Sequence, residues 1–111
     1  MENTLSPNHK YMENKPDKSY DLEDRTFRFA NNVKEYVDQL PNKTTSFEIG
    51  KQLVRSAGSV GANYIEANES LSKKDFMMRI KICKKEAKES QYWLRLTSPS
   101  RNYEQNKADL I

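Results

Sequence analysis

An all-α, antiparallel up-and-down helical bundle is the fold this sequence predicts. Apolar residues recur at three- and four-residue spacing through three successive segments, as on helices that each bury a face. Short polar links carrying Pro or Ser separate those segments. The 111-residue chain, 35% hydrophobic and 32% charged, has room for one small domain with a modest core. Residues 1–19 read as a disordered leader and 20–111 as a bundle of the four-helix type. Its helices are expected at about 21–40, 46–70 and 73–96, with a truncated fourth from about 101.

The leader, MENTLSPNHKYMENKPDKSY, is rich in Asn, Lys and Pro and lacks the continuous apolar region of a secretory signal. No apolar run approaches membrane-spanning length, so we expect a cytoplasmic protein without a membrane partner. In helix one, Leu22, Phe29, Val33, Tyr36, Val37 and Leu40, with Thr26 and Ala30 between them, share one face. Asp21 or Ser19 is the expected N-cap, Glu23 and Asp24 suit the first turn, and Pro41-Asn42 stops the run.

Helix two is expected to start at Thr45, where Thr45-Ser46-Phe47-Glu48 has capping-box spacing. Its principal stripe is Ile49, Leu53, Val60, Tyr64, Ala67 and Leu71. A second stripe of Val54, Gly58, Gly61 and Ile65 lies about 120° round the helix. Each interior Gly costs a helix roughly 1 kcal/mol relative to Ala. Two of them amid Ser56, Ala57, Ser59 and Ala62 predict a surface that another backbone approaches closely, and hence two separate neighbours.

Helix three, capped by Ser70 or Ser72, runs to Leu96 and closes at Ser98-Pro99. Its core stripe is Phe76, Ile80, Cys83, Ala87, Ser90 and Leu94, and a further apolar line joins Met78, Ile82 and Trp93. The remainder, RNYEQNKADLI, offers Tyr103, Leu110 and Ile111, too little for a bundle-length helix. Part of the core face is therefore expected to stay open to water or to a partner.

Five ordered motifs carry a resemblance. They are Arg55-Ser56, Gly61-Ala62-Asn63-Tyr64, Glu66-Ala67, Ser72-Lys73-Lys74-Asp75-Phe76 and Tyr92-Trp93-Leu94-Arg95-Leu96. Over roughly Tyr20 to Leu96 the chain resembles the bacterial four-helix-bundle family encoded in intervening sequences of 23S ribosomal RNA genes. The resemblance implies a full fourth helix, which this sequence departs from, and a ring-forming homo-oligomer, typically a pentamer. It also brings a related accessory protein of diversity-generating retroelements, which works with a reverse transcriptase and RNA.

The inventory of reactive side chains is short. Cys83 is the only cysteine and His9 the only histidine, the latter in the leader. An intrachain disulfide and a cysteine-based zinc cluster are excluded, and the bundle lacks a histidine general base. No glycine-rich phosphate loop is present. Arg55, Asn63, Glu66 and Glu69 form a polar group that invites a catalytic or metal-binding reading. Di-metal bundles use Glu-x-x-His ligands, and without a helical histidine we expect interhelical or intersubunit hydrogen bonding instead. The expectation is a protein that is not an enzyme and has no cofactor, metal or small-molecule substrate.

The formal charge of +3 is modest, so its placement matters more than its size. Lys73, Lys74, Lys81, Lys84, Lys85, Lys88 and Arg95 fall within one arc of helix three, away from both apolar lines. This basic strip is the candidate nucleic-acid surface, able to meet RNA phosphates or an RNA-associated partner. The alternative is a solvated face on a purely structural protein-protein interaction module. The candidate interface residues are Val54, Gly58, Gly61, Ile65, Met78, Ile82 and Trp93. Trp93 aligns with Met78 and Ile82, as a packing residue should, whereas Tyr92 lies closer to the lysines.

Overall fold

The computed structural model describes residues 18–111; the leader reading and His9 fall outside the described residues, apart from the last turn before Tyr20. Helices α1 (Lys18–Asp38), α2 (Thr44–Asn68) and α3 (Lys73–Leu96) are followed by a 3-10 turn at Arg101–Tyr103 and a short α4 (Glu104–Leu110). The architecture is all-α, as predicted. Contacts pair Thr26 with Gly61 and Val37 with Gly50 across α1 and α2. They pair Ser56 with Ser90 and Asn63 with Arg79 across α2 and α3. Rising numbers meet falling ones at both seams, so successive helices run antiparallel.

The core draws on the predicted stripes and adds Ala57, which lay outside both stripes of helix two, and Trp93, which was assigned to the further apolar line of helix three. Val33, Tyr36, Leu53, Ala57 and Leu94 form its buried centre, with Phe29, Val37, Leu40, Trp93 and Leu110 packed against it. Buried small residues bring α2 and α3 together. The Ser90 hydroxyl lies 2.9 Å from both Ser56 Oγ and the Glu86 carbonyl, and Ser56 donates to the Leu53 carbonyl. Each hydroxyl is thus satisfied where a larger side chain would hold the helices apart.

Several boundaries differ from expectation. α1 already runs from Lys18, so neither Ser19 nor Asp21 stands before its first turn, and Asp21 is instead the acidic residue within that turn. Regular α-helix ends at Asp38. Gln39 and Leu40 close a tighter turn onto the carbonyls of Tyr36 and Val37 ahead of Pro41.

The Thr45–Glu48 capping box does not form. α2 starts one residue earlier, behind an extended Lys43 that has no side-chain capping bond. α2 also ends at Asn68 rather than at 70. Leu71 lies in the link to α3 and is fully exposed, so it leaves the core stripe to which periodicity assigned it. Ser72 does cap α3, accepting from the Asp75 amide at 3.1 Å.

The segment after Ser98-Pro99 folds back as expected of a partial fourth helix. Ser100 donates its amide to Gln39 Oε1 and its hydroxyl to the Gln39 carbonyl, tying the turn to the end of α1. Lys107 of α4 donates to the carbonyls of Arg95 and Thr97, supplying a cation at the C-terminus of α3. Beneath it Tyr36 donates to Thr97 Oγ1 at 2.7 Å, and Thr97 donates to the Leu94 carbonyl. Beyond Leu110 an open groove of about 280 Å3 continues between Leu22, Phe29, Val60 and Ala87. Among the described residues this part of the core face is uncovered.

Candidate nucleic-acid interface

α3 carries eight cations and three carboxylates, +5 in a molecule whose net charge is +3. At about 100° per residue, Lys73, Lys74, Lys81, Lys84, Lys85, Lys88 and Arg95 occupy an arc of roughly 120° opposite the core-facing side. All seven are exposed. Lys81, Lys84, Lys85 and Lys88 surround a shallow depression of about 300 Å3.

The carboxylates of α3 lie outside this arc. Glu86 and Glu89 face α2, where Arg55 holds them at 3.3 and 2.6 Å. Asp75 sits in the first turn of α3. Arg25, Arg28, Arg55 and Arg79 all engage carboxylates, yet among the described residues none of the seven strip cations does. Among the described residues the strip is positive potential without a direct ion pair, touched only by the longer-range attraction between Lys85 and Glu89.

The polar residues of α2 divide into two seams. Arg55 and Glu66 stand eleven residues apart, about 16 Å along the helix, and do not meet. Arg55 engages Glu86 and Glu89, while Arg79 of α3 donates to Asn63 Oδ1 at 3.1 Å and pairs with Glu66 at 3.4 Å. Asn63 also donates to the Ser59 carbonyl. Arg55, Ser56, Asn63 and Glu66 therefore all work at the α2–α3 seam or beside it, as interhelical hydrogen bonding requires. Glu69 is exposed at the end of α2. Among the described residues no three His, Cys, Asp or Glu gather as a metal site would need.

Glu89 is the most heavily used carboxylate. Trp93 Nε1 donates to its Oε2 at 3.0 Å, and Arg55 reaches the same oxygen. The Trp93 hydrogen bond first and the Arg55 bond second hold its carboxyl below the usual glutamate range. Trp93 is thereby fixed as a packing residue, partly buried against the core, and its ring meets Tyr92 edge-on with centroids 5.1 Å apart.

The second stripes are less uniform than their periodicity. Gly61 faces α1, where a Cβ would stand 3.1 Å from Thr26 Oγ1. Among the described residues Gly58 has nothing within 4 Å of such a Cβ, so no close approach between them accounts for that glycine. Val54 and Ile65 are exposed, as is Met78, while Ile82 is half-buried. Gly50, absent from the sequence reading, is buried with a Cβ position 3.0 Å from Val37. Val37, Leu40, Phe47, Gly50 and Val54 line an open groove of about 670 Å3 between α1 and α2. Phe47, 70% exposed, stands about two turns before Val54 on the same helix face.

Sequence reasoning found the cations and missed the partners of Arg55. The signal was Glu86 and Glu89, one turn apart on α3 and off the basic arc, opposite an arginine on the facing helix. No helix of the described residues is long and apolar enough to cross a membrane.

The family profile of the 23S rRNA-intervening sequence protein matches residues 18–111. A crystal structure of a protein of unknown function from the S23 ribosomal protein family of Bacteroides thetaiotaomicron is similar to this chain. It shows 33% identity and a TM-score of 0.70, over 85% of this chain and 88% of that one. No functionally curated protein matches the chain.

Proposed function

The chain belongs to the 23S rRNA-intervening sequence protein family, and from that membership and the unpaired cations of α3 we propose that it binds RNA. We infer a cytoplasmic, non-enzymatic, self-associating bundle that presents Lys73, Lys74, Lys81, Lys84, Lys85, Lys88 and Arg95 to the phosphate backbone. The observation that carries this reading is segregation. Every carboxylate of α3 lies outside the arc that holds these seven cations, which carry no internal ion pair among the described residues. Self-association is supported by the apolar surface left on α2, where Phe47, Val54, Gly58 and Ile65 share one exposed face. A cyclic assembly, pentameric as the family resemblance implies, would repeat the strip and make weak phosphate contacts multivalent.

The test is an RNA titration at several salt concentrations, comparing the parent with the triple variant Lys81→Glu, Lys84→Glu, Lys88→Glu. These side chains touch neither the core nor the α2 seam, so helicity should match the parent. Affinity should fall. On single-stranded RNA the log–log salt dependence should be shallower by about two, since each lost phosphate contact removes about 0.7 from the slope. Parental affinity and slope in the variant would leave the strip as a solvated face on a protein-protein interaction module.

A further inference from the structure

Resting on the reading of α3 as a phosphate-binding surface, we propose that Tyr92 is a base-stacking platform and that the preferred ligand is a single-stranded nucleic acid. Tyr92 lies in the same arc as the cations, with Lys88 one turn before it and Arg95 and Leu96 one turn after. Its ring is 57% exposed although the residue beside it, Trp93, packs against the core. Tyr92 thus stands outside the buried core and keeps more than half of its surface in solvent.

The ring is also held. Arg55 fixes Glu89 at 2.6 Å, Glu89 accepts from the Trp93 indole at 3.0 Å, and the Trp93 ring meets Tyr92 at 76° with centroids 5.1 Å apart. Two rings set nearly perpendicular cannot cover both faces of either one, so at least one face of the tyrosine stays free of Trp93. This chain of contacts restrains the ring before any ligand arrives, which lowers the ordering cost of binding.

Cations track phosphates on any nucleic acid, but only an unpaired strand can lay a base on a protein ring. In a duplex the bases are already stacked on one another, so Tyr92 would meet only the backbone. A cation arc that has no ion pair among the described residues, combined with one pre-oriented exposed ring, therefore selects single strands.

Binding should be measured with a short single-stranded RNA, single-stranded DNA of the same sequence, the RNA duplex, and inorganic polyphosphate. The parent should favour the single strands over the duplex and over polyphosphate at equal ionic strength. Tyr92→Ala should weaken single-strand binding about tenfold, the worth of one base–ring stack, and leave polyphosphate binding and the salt slope unchanged. Tyr92→Phe should keep parental affinity, because stacking needs the ring and not the hydroxyl. Preference for the RNA strand would assign RNA as the source of the bases, and preference for the DNA strand would assign DNA. Duplex binding as tight as single-strand binding would overturn the proposal, as would a Tyr92→Ala variant that matches the parent or loses polyphosphate equally. Loss of binding to all four probes in the parent would instead remove the phosphate-binding reading on which the proposal rests.

Discussion

Gly58 and Gly61 occupy one helical stripe yet answer to different neighbours. A side chain at Gly61 meets Thr26 of α1 at once, whereas one at Gly58 meets none of the described residues. Gly61→Leu should therefore destabilise the protomer itself, by about 1–3 kcal/mol as overpacked helix contacts do. Gly58→Leu should leave protomer helicity and melting intact and reduce the mass of the assembly, because its side chain enters only the face proposed for another subunit. Circular dichroism melts and sizing of the two variants separate these effects, and an unchanged mass for Gly58→Leu would remove that face from the interface. Periodicity made both glycines visible but not their difference, since spacing along a helix fixes an angle and not what stands opposite it. Gly50 escaped for the converse reason: it lies near Phe47 and Ile49 in sequence, and only the antiparallel register of α1 brings Val37 against it.

The α2–α3 seam is where polar chemistry joins two helices. Glu89 is held below the usual glutamate range by Trp93 and Arg55. A carboxylate so depressed adds stability that is present above the unfolded glutamate pKa, about 4.3. That stability is lost as pH falls through the lower folded value. Melting temperature should therefore drop on acidification from about pH 6 to pH 3, and Glu89→Gln should flatten its own share of that drop. An identical pH profile in the variant would contradict the assigned charge contact. At this scale the sequence was most informative where spacing alone decides, as in the bounds of α3, the Ser72 cap and the lysine arc. It was least informative at the end of α1 and the start of α2. There α2 begins at Thr44 behind an extended Lys43 without a side-chain cap, so Thr45 already lies inside the helix and the capping box its spacing allows does not form.

Across the described residues, charge and exposed apolar surface are segregated onto different helices. The net charge of α3, +5, exceeds the +3 of the entire chain, while α2 and the groove beside α1 expose apolar side chains. α4 covers the core only as far as Leu110, leaving the groove between Leu22, Phe29, Val60 and Ala87 open. The limited length of the fourth helix was legible in the few apolar residues after Pro99. Its anchoring through Lys107, Ser100 and the Tyr36–Thr97 pair was not, because those contacts join residues up to 61 positions apart. The most direct test of the account is the solution mass of the full chain with and without single-stranded RNA at low salt. The account predicts a whole-number multiple of the 13.0 kDa protomer that grows by the mass of bound RNA. A species at the protomer mass that RNA leaves unchanged would contradict it.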